Sequence, residues 1–257
     1  MCSCLCYFIL VYSNVSLANY SFRYVITDPS TNITGPNAFA YLDIGHAEDW
    51  RDYWSYLNKS LILGPTQWPG EYYVKFWDPR WLNIMEKEIR GIAERGYGGV
   101  FFDNLDACLD LNNVTSNACT LMEDFVNELS SYASSLGLKV IVNVGSVAYM
   151  APELKVYGVL REETLCPLDP QDWSDLVKAK EEGKVVIDVE YNTTNACESV
   201  ALKACDEGIY VYLAPSVSLS KPSDLCKRSQ ELGYWPLLAV FAIPVLRKKL
   251  CTSCHSH

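Results

Sequence analysis

Short runs of apolar, β-branched or aromatic residues recur along the chain, each bounded by turn residues: 8–12, 24–29, 39–45, 99–104, 139–145, 158–164, 184–191 and 209–215. Some, such as Val100-Phe101-Phe102, are continuously apolar, which is the pattern of a strand covered on both faces. Between the later runs lie stretches with helical periodicity. Residues 81–96 place Ile84, Ile89, Ile92 and Ala93 on one face and stop at Gly96. Residues 120–137 place Leu121, Met122, Phe125, Leu129 and Tyr132 on one stripe and stop at Gly137. An apolar face closed by glycine is a helix signature. Residues 172–183 and 195–208 repeat it, with Asp172 and Asn195 as predicted N-caps. Pro79, after Trp77-Asp78, is predicted to open the first of these helices.

Strands alternating with helices imply a parallel sheet, because each parallel strand needs a crossover. Eight such strands in a chain of 257 residues predict an α/β fold, a single (β/α)8 TIM barrel over residues 7–247, with a tail at 248–257. A doubly wound sheet would carry a glycine-rich phosphate loop after its first strand, and the chain has neither GxGxxG nor a P-loop. The first apolar run has a rival reading as a short signal segment ending in Ser16-Leu17-Ala18, which would make the protein secreted. It lacks the positive residues that precede such segments, and the barrel needs it as a strand.

The C-terminal strand ends of such a barrel are where chemistry gathers. They carry Asp28, Asp43 with His46, Asp103 with Asn104 and Asp106, Asn143, Glu162 with Glu163, Glu190, and Tyr212. Carboxylates dominate, and one histidine is among them. There is no HExxH, no histidine pair with a carboxylate at metal spacing, and no GxSxG. Metal hydrolysis and serine chemistry therefore lack their parts, and no metal or cofactor is expected. Paired carboxylates suit glycoside hydrolysis, in which one donates a proton and the other is nucleophile or base. Asp103, beside Asn104, is expected to be the ionised partner. Glu162, ending an apolar run, is expected to hold its proton. Glu163 should then point to the opposite side of the strand. Residues 66–81 are expected to form a long loop walling the cleft, with Trp68 and Glu71 exposed. Seventeen tyrosines and seven tryptophans suit a sugar cleft as well.

A net charge of −10 with no basic cluster argues against nucleic-acid binding. No apolar run is long enough for a transmembrane helix. Eleven cysteines permit disulfides, which persist in oxidising compartments and in hyperthermophile cytosol. Cys108 and Cys119 flank a polar loop that they could close, whereas Cys197 and Cys205, eight apart on a predicted helix, are less apt to bond each other. Asn14, Asn32, Asn58, Asn113 and Asn192 stand in glycosylation sequons. Cys251, Cys254 and His255 match the haem-attachment pattern C-x-x-C-H, with His257 nearby. The tail lacks the other parts of a haem or metal centre, so a local disulfide or a plain tail is the expectation, with an electron-transfer or metal role as a further hypothesis.

Five blocks, 40–54, 68–81, 96–107, 141–145 and 158–165, together resemble the TIM-barrel glycoside hydrolases related to endo-α-1,4-polygalactosaminidase. The resemblance runs from about residue 8 to 232. It implies Asp103 and Glu162 as the catalytic pair, with Tyr41, Asn104, Asp106 and Asn143 lining the sugar site. It also implies a retaining outcome and a polymer of α-1,4-linked galactosamine, cationic where deacetylated. The strand-end and loop residues Asp43, His46, Trp68, Glu71, Glu163, Glu190 and Tyr212 complete the predicted substrate cleft. One departure is His46, which follows Gly45 where the family usually has an acidic residue. It suggests an alternative, a non-catalytic carbohydrate-binding barrel.

Overall fold

The computed structural model describes residues 7–11, 22–31, 33–214 and 226. Its strands begin with β1 (Tyr7–Val11), β2 (Phe22–Thr27) and β3 (Gly35–Asp43). Three short ones follow, β4 (His46–Glu48), β5 (Ile62–Pro65) and β6 (Glu71–Val74). Then come β7 (Tyr97–Asp103), β8 (Lys139–Asn143), β9 (Gly158–Glu162), β10 (Val185–Glu190) and β11 (Tyr210–Leu213). The helices are α1 (Pro79–Glu94), the single turn α2 (Ala107–Asp110), α3 (Ala118–Ser135), α4 (Pro170–Glu181) and α5 (Asn195–Asp206).

Eight strands form one curled sheet in the order β1-β2-β3-β7-β8-β9-β10-β11, and every neighbouring pair is parallel. The edge strands β1 and β11 approach each other but share no ladder among the described residues. The structure thus has a curled parallel sheet flanked by helices, where the sequence predicts a closed barrel. Strand alternation divides its apolar residues into two layers. Tyr41, Phe101, Ile141, Leu160 and Val189 fill the concave side. Leu42, Phe102, Val142, Val159 and Val186 point outward into the larger core beneath the helices.

The helix stripes differ in detail from the periodicity. On α1 the fully buried face is Trp81, Met85, Ile89 and Ile92, while Ile84 and Ala93 sit half-buried on its flank. On α3 Met122, Phe125 and Leu129 are buried as expected, with Val126 and Ala133 in place of Leu121 and Tyr132. Pro79 opens α1 behind Asp78, whose carboxylate accepts from the Arg80 amide at 2.9 Å. The caps of α4 and α5 are Asp169 and Thr194 rather than Asp172 and Asn195. In α4 Pro170 fills the first helical position, and its missing N–H costs nothing there.

The expected long loop at 66–81 is instead structured. β5 and β6 form an antiparallel hairpin, and β4 pairs on the other side of β6. These strands have three or four residues each, too few for alternation to stand out in sequence. Among the described residues three disulfides join Cys108 to Cys119, Cys166 to Cys197, and Cys205 to Cys226. The first closes the predicted loop, and Cys197 and Cys205 each bond elsewhere. Asn58, Asn113 and Asn192 are exposed. The signal-like segment, Asn14, Asn32, and the tail with Cys251, Cys254, His255 and His257 lie outside the described residues. No helix among the described residues is long and apolar enough to cross a membrane.

Trp81 ties α1 to the working end of β3. Its ring is fully buried, and Nε1 donates to the Ile44 carbonyl at 2.9 Å, one residue beyond Asp43. Trp81→Phe should keep most of the packing but orphan that carbonyl, at a cost of about 1–3 kcal/mol. Chemical denaturation would read this as an unchanged m-value with a lower midpoint. An unshifted midpoint would mean that the carbonyl has found another donor.

Candidate active site

Four adjacent strands end on the concave side in polar residues: Asp43 on β3, Asp103 on β7, Asn143 on β8 and Glu162 on β9. Parallel register sets Asp43 directly opposite Asp103, one step above the Tyr41–Phe101 pair. Asn143 then spans the gap to the next strand. Its Nδ2 donates to Asp103 Oδ1 at 3.1 Å and reaches Glu162 Oε1 at 3.4 Å. The two predicted catalytic carboxyls therefore face one another across a single amide.

The backbone turns sharply after each of them. Asn104 has φ of 63° and Glu163 has φ of 58°, both in the left-handed region that side chains rarely adopt. At Asn104 this sends Nδ2 back to Asp43 Oδ2 at 2.6 Å. At Glu163 it breaks the alternation of β9, so Glu163 lines the cleft although the sequence predicts it on the opposite side. Two glycines permit the close packing. A Cβ at Gly45 would stand 2.0 Å from the Asn104 carbonyl oxygen, and one at Gly145 would stand 2.6 Å from Asp106 Oδ2. With that room, Asp106 Oδ2 accepts from the Ser146 amide at 3.1 Å.

The carboxyls crowd one another. Burial, with the Asp43 carboxylate beside it and Glu162 across the gap, pushes Asp103 up to about 7, against hydrogen bonds from the Asn104 amide and Tyr41. Burial also raises Glu162, although Tyr191 donates to its Oε2 at 3.0 Å and Arg161 is close by. Asp43 is raised by burial as well, despite accepting from the Gly45 and His46 amides at 3.1 and 2.8 Å. The expected division between an ionised Asp103 and a protonated Glu162 is thus not built into the cleft by its own side chains. Both carboxyls are raised, because like charges in a partly dry site cannot all ionise. His46 lies beneath the cleft floor. Burial alone would favour its neutral form, but Asp43 and Glu71 push it up to about 10.

The cleft has a volume of about 780 Å³, and Tyr41, Trp68, Glu71, Asp103, Asn104, Asp106, Asn143, Glu162 and Glu163 all line it. Trp68 is 60% exposed at the rim, whereas Glu71 is largely covered, because β6 holds it beside His46. Four predicted residues do not line it: Asp43 and His46 are buried behind the lining, and Glu190 and Tyr212 lie farther off. Glu190 is fully buried on the outward side of β10, where Oε1 accepts from the Leu165 amide at 2.6 Å. Tyr212 is fully buried in the concave apolar layer, below the opening. Asp28 is drawn off by Arg51, whose NH2 lies 2.9 Å from Oδ2.

Sequence reasoning missed Tyr191 and Arg161, which also line the cleft. Alternation along β10 could have found the first. Ile187 and Val189 face inward, so the next inward position is Tyr191 and not Glu190. Arg161 had no comparable signal. Its Nε binds Asp172 of α4 at 2.8 Å, a contact made only in the folded chain.

A model of glycoside-hydrolase family GH114 matches residues 26–232. An uncharacterised protein of Thermotoga maritima is 37% identical over 73 residues, which is 26% of this chain and 23% of that one. Another, from Methanocaldococcus jannaschii, is 38% identical over 77 residues, 28% of this chain and 22% of its own. The match therefore spans less than a quarter of those curated relatives. Among solved structures, Aspergillus fumigatus Ega3 in complex with galactosamine superposes with a TM-score of 0.65 at 15% identity, covering 84% of this chain and 92% of that one. The glycoside hydrolase domain of PelA from Pseudomonas aeruginosa does so with a TM-score of 0.61 at 17% identity, covering 83% and 96%. At such identities these likenesses show a shared fold. The family model, matched over most of the length and across every strand end that carries the site, shows that this chain belongs to glycoside-hydrolase family GH114.

Proposed function

We propose that this protein hydrolyses an α-linked amino-sugar polysaccharide of the polygalactosamine kind, using Asp103 and Glu162 as its catalytic pair on a (β/α)8 barrel. The observation that carries the reading is the Asn143 amide that reaches both carboxyls. Its two contacts, 3.1 and 3.4 Å, keep one oxygen of each carboxyl within about 6.5 Å of the other, within reach of one glycosidic bond, and the retaining outcome is proposed from the family resemblance.

In this mechanism Glu162 protonates the leaving glycosidic oxygen while Asp103 attacks the anomeric carbon. Glu162, now ionised, then takes a proton from the water that releases the sugar from Asp103, so the configuration is retained. Asn143 keeps the two groups in register through both steps. Tyr191 orients Glu162 through Oε2.

A cationic substrate solves the problem of the protonated Asp103. Five carboxyl side chains, Glu71, Asp103, Asp106, Glu162 and Glu163, line the cleft beside one arginine, and Asp172 already pairs with that arginine. An ammonium group brought in on the sugar would favour the ionised carboxylate and release the nucleophile's proton. Trp68, exposed at the rim, offers a ring face for a sugar. The fold shared with Ega3, which was solved with galactosamine, also supports an amino-sugar substrate.

The first test incubates the protein with a panel of amino-sugar polymers and measures new reducing ends. Asp103→Asn and Glu162→Gln should each lower the rate by at least about 100-fold, the scale of a lost positioned acid or base. Glu162→Gln should regain activity on an aryl glycoside with a good leaving group, and Asp103→Asn should not. Glycan binding without any new reducing ends in the wild type would favour a carbohydrate-binding protein instead.

A second test uses stability. Asp103 titrates at about 7 in the fold and near the ordinary carboxylate range when unfolded. The folded state thus holds the extra proton between those values, and stability falls as pH rises through that window. Asp103→Asn should therefore raise the melting temperature more at pH 8 than at pH 4. An advantage of about 1 kcal/mol would appear as roughly 2–4 °C in a domain of this size. Equal shifts at both values would show that Asp103 is not raised.

A further inference from the structure

His46 lies between two carboxylates without closing a hydrogen bond to either. The residue is 8% exposed, and among the described residues neither ring nitrogen has a hydrogen-bond partner within ordinary bonding distance. Nδ1 stands 3.7 Å from Asp43 Oδ2 and 3.6 Å from Glu71 Oε2. A charge-assisted N–H to carboxylate bond closes to about 2.7–2.9 Å. The imidazole is held short of both carboxylates at once, although closing on either would satisfy it. Its ring also packs edge-on against Tyr73, with centroids 5.1 Å apart.

The spacing suits a different occupant. Around a tetrahedral first-row ion, bonds of about 2.0–2.2 Å put ligand atoms roughly 3.3–3.6 Å apart. One ligand atom from each of Asp43, His46 and Glu71 lies within 4.8 Å of the other two. We propose that Asp43 Oδ2, His46 Nδ1 and Glu71 Oε2 bind a single divalent transition-metal ion of the zinc class, with a fourth position facing the cleft that Glu71 lines.

The supporting contacts are those that such a site needs. Among the described residues, Asp43 Oδ1 accepts from two backbone amides and Oδ2 accepts one hydrogen bond, from Asn104, with the His46 nitrogen standing off at 3.7 Å, so a lone pair is left for an ion. The ligands stand on three backbone-locked elements, the end of β3, the start of β4 and the start of β6. Register sets His46 opposite Tyr73 and Glu48 opposite Glu71, which fixes the β4–β6 edge. One nitrogen and two carboxylate oxygens suit zinc or manganese better than a thiophilic ion. A neutral imidazole, two carboxylates and a divalent ion also sum to zero charge, which removes the cost of burying uncompensated carboxylates. A second cluster, Cys166, Glu190 and Cys197, comes together near α5, but its two sulfurs are bonded to each other.

The proposal does not rest on hydrolysis, and its test reads metal directly. Chelator-treated full-length protein, kept non-reducing so that the disulfides survive, is titrated with zinc chloride by calorimetry. Metal content is then measured by atomic emission after desalting. The expected result is one equivalent of zinc, lost in Glu71→Gln and in His46→Ala, and retained when Cys251 and Cys254 are both replaced by serine. Asn104→Ala should weaken binding by about 10–100-fold through the freed Asp43. Should His46→Ala fail to fold, Glu71→Gln decides the matter, with its circular dichroism compared with wild type. No zinc in the wild type, zinc retained in Glu71→Gln, or zinc lost with the tail cysteines would each overturn the site.

Discussion

One register sets the geometry of the candidate site: Asp43 of β3 lies opposite Asp103 of β7 at the ends of two parallel strands. Parallel pairing gives no freedom to slide here, since a one-residue slip of either strand would turn its carboxyl into the apolar layer under the helices. Everything nearby follows from that juxtaposition. Asn104 must turn back to satisfy Asp43, Asn143 must answer Asp103 from the other side, and Glu162 completes the row on β9. The concave layer beneath, with Tyr41, Phe101 and Leu160, keeps the row partly dry.

The arrangement is costly. Three raised carboxyls in one neighbourhood resist joint ionisation, and two non-glycine residues are held at positive φ immediately after Asp103 and Glu162. Strain of about 1–3 kcal/mol at each such position persists only where the surroundings over-determine it. Here they do. Gly45 and Gly145 leave no room for a Cβ, Trp81 fixes the end of β3, and the β4–β6 edge closes over His46. The same crowding is what makes a cationic ligand welcome, because positive charge relieves repulsion that the fold cannot relieve itself.

Two kinds of cation would act on this field. A substrate ammonium would enter from the open side, near Asp106 and Glu163. A metal ion would sit between β3 and the hairpin, on the side of the cleft that Glu71 lines. The histidine that departs from the family pattern is central to the second, and it leaves the row of Asp103, Asn143 and Glu162 intact.

Much of this was legible in the chain. The continuous apolar runs and glycine-ended amphipathic stretches predicted the parallel sheet, its helices and the strand-end positions of Asp103, Asn143 and Glu162. Those signals are local, arising from two-residue and 3.6-residue periodicity. The sequence was also enough to anticipate the Cys108–Cys119 bridge, whose partners flank one short loop. What needed the tertiary structure was every feature set by neighbours distant in sequence. Glu190 was misjudged for a different reason: alternation with the apolar Ile187 and Val189 already turns it outward, a local signal outweighed by its place at the strand end. The three-stranded hairpin sheet escaped notice because its strands are too short to show a period. The raised proton affinity of Asp103 and the meeting of Asp43, His46 and Glu71 were likewise invisible. Burial and electrostatic fields depend on what packs alongside a group, and linear order does not specify that.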